Sequence, residues 1–183
     1  MRQILFIQGA GEGAYDADIK LADGLQHELG GEYEIVYPVL SDEADPNYDD
    51  WKSQVKQELI KLQQPVTLVG HSVGASILLK CVDEIRTEIR IAGIFLLAAP
   101  FWGGEGWRYE GYEKLELAKD FAENLTQRAP VFLYHCQDDE IVAYEHLALN
   151  ARMLPSATER QLTTGGHQFV GNLSTIAQDI KST

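Results

Sequence analysis

The sequence predicts an α/β fold, with about six mainly parallel strands and helices on both faces of the sheet. Runs at residues 4–7 and 91–99 are apolar throughout, which is typical of strands buried on both faces in a parallel sheet. Amphipathic helical patterns alternate with such runs, and this alternation predicts right-handed crossovers between parallel strands. The 183 residues contain no internal repeat and no linker, so we expect a single domain over residues 1–183.

In the first third of the chain, the predicted elements follow from apolar spacing and turn residues. A helix after the first strand carries Ala17, Leu21, Leu25 and Leu29 at four-residue spacing, and a glycine pair ends it. The acidic segment 41–50 shows no ligand spacing for a cation, so we interpret it as a solvated loop. The predicted elements are strands at 4–7 and 33–37 and helices at 16–29 and 51–62.

The rest of the chain continues the same alternation. A final helix carries Phe169, Leu173, Ile176 and Ile180 on one face. The predicted elements here are strands at 66–69, 91–99, 131–136 and 159–163, and helices at 75–81, 113–128 and 143–153, before that final helix.

One segment, residues 101–112, fits neither a helix nor a strand. It holds five aromatic residues and four glycines in twelve positions. Two interpretations stay open: a short aromatic flap over a pocket, or a loop whose rings fill the edge of the core. On the first interpretation, Phe101, Trp102 and Trp107 are candidate residues of a substrate pocket.

Composition excludes several classes of partner. Fifteen Lys and Arg against 28 Asp and Glu give a net charge of −13, which argues against nucleic acid or an anionic membrane as a partner. No apolar run is long enough to cross a bilayer, and the start of the chain does not resemble a signal peptide. Cys81 and Cys136 lie in apolar segments, so we expect buried free thiols and a cytoplasmic location. No protein partner can be named from the sequence.

The most informative stretch is residues 66–81, an apolar strand followed by G-x-S-x-G and an apolar helix. This arrangement predicts a nucleophile elbow, in which Ser72 sits on a strained turn at the carboxyl end of a strand. The glycines at positions 70 and 74 have a steric explanation, because any side chain there would collide with a neighbouring strand or helix.

A second glycine-rich turn, residues 8–13 (the first loop), has two interpretations. A dinucleotide site is one, but the spacing is G-x-G-x-G, and the second strand ends in Pro38 where such a site has an acidic residue. We favour the other, an oxyanion hole. It would use the N–H of Val73, directly after the nucleophile, and the N–H of Ala10, with Gly11 as the second choice.

Acyl transfer by a serine also needs a base and an anion that orients it. Among the five histidines, His167 is the best base, because it follows the last predicted strand at a glycine turn. Asp138 and Asp139 follow the strand before it, and the order Ser, Asp, His is that of the α/β-hydrolases. His71 is the variable residue of the elbow; its ring should point away from Ser72, and we include it with Gly11 as a candidate pocket residue.

Four segments together resemble a known family: residues 4–13, 70–74, 136–142 and 166–169. They resemble a compact α/β-hydrolase, most similar to the small serine hydrolases of the retinoblastoma-binding-protein-nine type and their bacterial relatives. The resemblance implies hydrolysis of carboxylic esters. It also selects Asp139 as the acid, because hydrolases of this type place it three residues from Cys136 and three from Val142. The chain departs from many hydrolases in having Gln8-Gly9 where they have His-Gly.

The sequence therefore predicts a serine hydrolase that cleaves small carboxylic esters through an acyl-enzyme. Ser72, Asp139 and His167 form the expected triad, and no cofactor or metal is implied. Two alternatives remain: a binding or regulatory module that keeps an unused triad, and a hydrolase of thioesters, amides or carbon–carbon bonds.

Overall fold

The computed structural model describes residues 1–84, 89–102, 113–117, 121 and 129–183. Within these ranges lies a sheet of six strands in the order β2-β1-β3-β4-β5-β6, and every neighbouring pair is parallel. The strands are β1 (Arg2–Ile7), β2 (Tyr33–Val36), β3 (Val66–His71), β4 (Ile91–Leu97), β5 (Val131–Cys136) and β6 (Thr158–Leu162). The helices are α1 (Ala14–Leu29), α2 (Tyr48–Lys61), α3 (Val73–Glu84), α4 (Glu145–Met153) and α5 (Leu173–Lys181). The predicted α/β fold is confirmed.

Helices cover both faces of the sheet. On one face, α1 and α5 pack against the strand residues Ile4, Phe6 and Phe95. On the other, α2, α3 and α4 pack against the alternate residues, such as Leu5 and Leu96. Because both faces are buried, the strands read as continuous apolar runs and not as an alternation of polar and apolar residues.

The order of the strands brings separate loops together. The chain goes from β1 to β2 on one side and then returns to β3 on the other side of β1. The carboxyl ends of β1 and β3 therefore lie side by side where the winding direction reverses, which is the usual position of ligand sites in open α/β sheets. The loops after these two strands are the first loop and the predicted elbow.

Two predicted helices differ from the structure. Glu113–Leu115 form a 3₁₀ helix that stops before residue 116, and most of the predicted helix over 113–128 lies outside the described residues. The final helix begins at Leu173, so the prediction that Phe169 lies on it is wrong. Phe169 is fully buried in the preceding turn with φ of 55°, and Gly171 follows with φ of 82°. These left-handed residues hold the backbone out of the helix.

Both cysteines are free and buried, as predicted. Among the described helices, none is long and apolar enough to cross a bilayer.

We expect both thiols to be unreactive in the native protein. Burial raises the pKa of Cys81 and of Cys136 to about 12, and at Cys136 the nearby acidic side chains act in the same direction. The thiolate is the reactive form, so DTNB at about pH 8 should label neither cysteine until urea unfolds the chain, when both should react. Rapid labelling of the folded protein would contradict this burial, and the variant Cys81→Ala would identify which thiol reacted.

Candidate active site

Ser72 occupies a tight turn between β3 and α3. Its φ is 52°, a left-handed conformation that residues other than glycine rarely adopt. A Cβ at Gly70 would lie 2.6 Å from the Ala75 Cα, and one at Gly74 would lie 1.9 Å from the main-chain oxygen of Gln8. Glycine is therefore required at both positions, for the steric reason that the sequence predicts.

The ring of His167 is bonded to the carboxylate of Asp139. Nδ1 lies 3.1 Å from Oδ1 and 2.9 Å from Oδ2, and the Asp139 side chain is fully buried. His167 and Ser72 line the same cleft. Because Asp139 engages Nδ1, Nε2 is the ring nitrogen left for the serine hydroxyl.

Several donors hold the Asp139 carboxylate as an anion. Oδ1 accepts the main-chain N–H groups of Ile141 and Val142, each at 2.9 Å, and Oδ2 lies 3.3 Å from Nε2 of His135. Burial acts to raise the pKa of Asp139, but the hydrogen bonds from His135, His167 and the main chain outweigh it and hold the pKa well below its usual value. Sequence reasoning missed this role of His135, because it predicted only that residues 131–136 form a strand.

Asp138 and Glu140 act on the backbone around His167 and not on its ring. Asp138 accepts the N–H groups of Gly165 at 3.2 Å and Gly166 at 2.9 Å, and Glu140 accepts the N–H of His167 at 3.2 Å. Of the two adjacent aspartates, Asp139 is therefore the one beside the imidazole.

In the first loop, the main-chain donors differ in availability. Gly9 donates to Oδ2 of Asp18 at 2.8 Å, and Gly11 donates to the main-chain oxygen of Glu43 at 2.6 Å. Among the described residues, the Ala10 N–H has no acceptor. In this loop the N–H of Ala10 is therefore available to an oxyanion, and the N–H of Gly11 is not. The other candidate, Val73, is the first residue of α3, where N–H groups lack helical partners.

Glu43 corrects the interpretation of segment 41–50 as a merely solvated loop. Its carboxylate accepts the N–H groups of Gly13 at 2.9 Å and Tyr15 at 2.7 Å, and also Nε2 of Gln8 at 3.0 Å. The N–H groups at the start of α1 are thus bonded to a carboxylate of the chain itself. A dinucleotide phosphate would meet this negative charge in place of free donors.

Asp18 is a second residue that sequence reasoning missed. Its carboxylate is buried and lies 2.8 Å from Nδ1 of His71, while Nε2 of His71 lies 2.9 Å from the main-chain oxygen of His167. A signal existed in the sequence: Asp18 stands three and seven residues before Leu21 and Leu25, on the buried side of α1. A carboxylate at such a position needs a buried partner.

The cleft beside Ser72 has a volume of about 220 Å³. Its walls are mainly small residues of the first loop, including Gly11, together with His71 and Ile141. Phe101 and Trp102 line a different, much smaller cavity beside α3, where Trp102 is buried in the core. Trp107 and the rest of the predicted flap at 103–112 lie outside the described residues, so the choice between flap and core stays open.

Comparison with solved structures supports the architecture. The ydeN gene product of B. subtilis is 16% identical with a TM-score of 0.74, over 100% of this chain and 98% of that one. A serine hydrolase of the polyaromatic-hydrocarbon-degrading bacterium Cycloclasticus zankles is 14% identical with a TM-score of 0.75, over 99% and 88%. Est1E from Butyrivibrio proteoclasticus, solved with ferulic acid, is 16% identical with a TM-score of 0.71, over 100% and 87%. At these identities the likeness shows the fold, which is that of the α/β-hydrolases.

The sequence comparisons bear on the family. A comparison with curated proteins finds no match. A family model described as "Serine hydrolase" matches residues 36–171, which include the elbow, Asp139 and His167. The narrower resemblance to the retinoblastoma-binding-protein-nine type stays a prediction. Because the matched segment covers more than half of the sequence, the chain belongs to the Serine hydrolase family.

Proposed function

We propose that this serine hydrolase cleaves small carboxylic esters through an acyl-enzyme, with Ser72 as nucleophile, His167 as base and Asp139 as the orienting acid. The observation that carries the proposal is the bond between His167 Nδ1 and the buried Asp139 carboxylate, because His167 lines the same cleft as Ser72. This arrangement has the parts that serine-dependent acyl transfer needs.

The reaction follows from the roles of these groups. Ser72 Oγ attacks the ester carbonyl carbon while Nε2 of His167 takes the hydroxyl proton. The N–H groups of Ala10 and Val73 stabilise the resulting oxyanion. His167 then gives the proton to the leaving alcohol, and a water molecule attacks the acyl-enzyme in the same way and releases the acid. Asp139 stays ionised throughout and stabilises the imidazolium.

The cleft favours a small substrate. Its volume of about 220 Å³ is below the range of about 300–1,000 Å³ that is usual for sites of drug-sized ligands. An esterase from Exiguobacterium antarcticum shares the fold, which agrees with an ester substrate. A thioesterase domain from the curacin biosynthetic pathway shares it too. Hydrolysis of thioesters, amides or carbon–carbon bonds therefore remains an alternative to be separated by a panel of small substrates.

Replacing Ser72 with Ala should abolish hydrolysis of p-nitrophenyl acetate and labelling by a fluorophosphonate probe. The nucleophile is lost while the fold remains, so kcat should fall by roughly 10⁴-fold or more. Ser76→Ala is the matched control, because this serine lies one turn further along α3 and donates to the main-chain oxygen of Pro100. It should keep both activities. A native wild-type protein that neither hydrolyses nor labels would favour the non-catalytic module.

The neighbouring aspartates should differ strongly when each is changed to Asn. Asp139→Asn removes the anion that fixes the imidazole tautomer, so kcat should fall by roughly 10³- to 10⁴-fold. Asp138→Asn should lower kcat by less than about tenfold, because an amide oxygen can still accept an N–H from Gly165 or Gly166. Circular dichroism would confirm folding, and a larger loss for Asp138→Asn would reverse the assignment.

A further inference from the structure

A buried pair, Asp18 and His71, lies beside the proposed triad and has no part in the reaction described above. The two side chains are 2% and 1% exposed, and they come from different elements, α1 and the end of β3. The His71 ring lies 4.5 Å, centre to centre, from the His167 ring. Removing an ionisable pair from water costs free energy, and the hydrogen bonds of the buried pair must offset this cost.

Both nitrogens of the His71 ring face acceptors. Nδ1 lies 2.8 Å from Oδ2 of Asp18, and Nε2 lies 2.9 Å from the main-chain oxygen of His167. A neutral imidazole has one N–H, so satisfying both contacts requires one additional proton within the pair. Burial acts to raise the pKa of Asp18, but attraction to His71 and hydrogen bonds from His71, Gly9 and Gln168 outweigh it and lower the pKa. A carbonyl oxygen can only accept a hydrogen bond, so Nε2 of His71 carries the N–H that donates to His167.

The pair connects three loops that each carry one group of the proposed reaction. Asp18 Oδ2 accepts the N–H of Gly9 at 2.8 Å, in the loop that holds the Ala10 donor. Asp18 Oδ1 accepts Nε2 of Gln168 at 3.0 Å, and His71 donates to the carbonyl of His167, both in the loop of the base. His71 itself directly precedes the nucleophile in the chain.

We propose that Asp18 and His71 are positioning residues for the proposed ester hydrolysis, on which this inference rests. They hold the backbone of His167 and the first loop at the distances from Ser72 that proton transfer and oxyanion binding require. An error of about 1 Å in such a distance can lower a rate by about 10²-fold, so loss of the pair should affect kcat much more than KM.

Three variants test the pair through steady-state kinetics. His71→Ala removes the donor to His167, and kcat should fall by about 10- to 100-fold while KM changes by less than about threefold. Asp18→Asn should give a similar loss, because one oxygen that accepts an N–H becomes a donor. His71→Gln should recover most of the loss, because its amide nitrogen can reach the position of Nε2 and donate to the His167 carbonyl.

Asp179→Asn is the matched control. Asp179 accepts the Tyr134 hydroxyl at 2.7 Å and two nitrogens of Arg160, each at 2.8 Å, so it is another carboxylate with several donors, but it lies on α5 outside the proposed site. This variant should lower the melting temperature and leave kcat unchanged. If the Asp18 and His71 variants also melt earlier but keep the wild-type kcat, the pair is only structural and the proposal is wrong.

A measurement without substrate separates this inference from the proposed function. In protein carrying ¹⁵N-labelled histidine, the Nδ1–H signal of His167 reports its bond to Asp139, and Nε2 of His71 should carry hydrogen. Asp18→Asn and His71→Ala should shift or broaden the His167 signal, and Asp179→Asn should not. If His71→Ala does not fold, Asp18→Asn and His71→Gln decide. An unchanged His167 signal overturns the positioning role, whether or not the wild type hydrolyses esters.

Discussion

The close approach of the first loop to the elbow is the constraint on which the site depends. The backbone at Gly74 lies so near Gln8 that a Cβ there would be 1.9 Å from the Gln8 oxygen. Ser72 takes its left-handed conformation at the same junction, between β3 and α3. The approach is possible because β1 and β3 are hydrogen-bonded neighbours, so the loops that follow them leave the sheet side by side. A shift of either strand would separate Ser72 from Ala10, the oxyanion donor that we propose.

Carboxylates hold the loops of the site by accepting main-chain N–H groups. A charged acceptor makes shorter and stronger hydrogen bonds than a neutral one, which suits loops that lack the hydrogen-bond ladders of helices and strands. In this protein the carboxylates are Asp18 on Gly9, Glu43 on Gly13 and Tyr15, Asp138 on Gly165 and Gly166, Asp139 on Ile141 and Val142, and Glu140 on His167. Part of the excess of acidic residues therefore has a structural role in the loops of the site.

The sequence predicts the strands and the elbow well because their signals are local. Apolar runs indicate buried strands, and the glycines two positions before and after Ser72 indicate that other backbone segments pack closely there. Each signal lies within a few residues of the feature that it predicts. Contacts between distant segments are harder to predict. Asp18 and His71 are 53 positions apart, and no nearby residue in the sequence indicates that they are partners. Phe169 shows the opposite error, because its apolar spacing fits a helix while the glycines around it place it in a turn. Apolar periodicity indicates that a side chain is buried, but it does not show whether a helix or a turn places the side chain in the core.

The same distinction separates the chemistry of the site from its specificity. The positions of Ser72, Asp139 and His167 follow from the ends of particular strands, so any sequence with this fold and these residues can assemble them. In the proposed reaction the substrate is chosen by the walls of the cleft, which include the small residues of the first loop, His71 and the exposed side chain of Ile141. Ile141 and the first loop lie outside the helices and strands of the core, whereas His71 ends β3. Loops of this kind vary more than the elements they connect. Membership of the family therefore fixes the reaction class more firmly than the substrate.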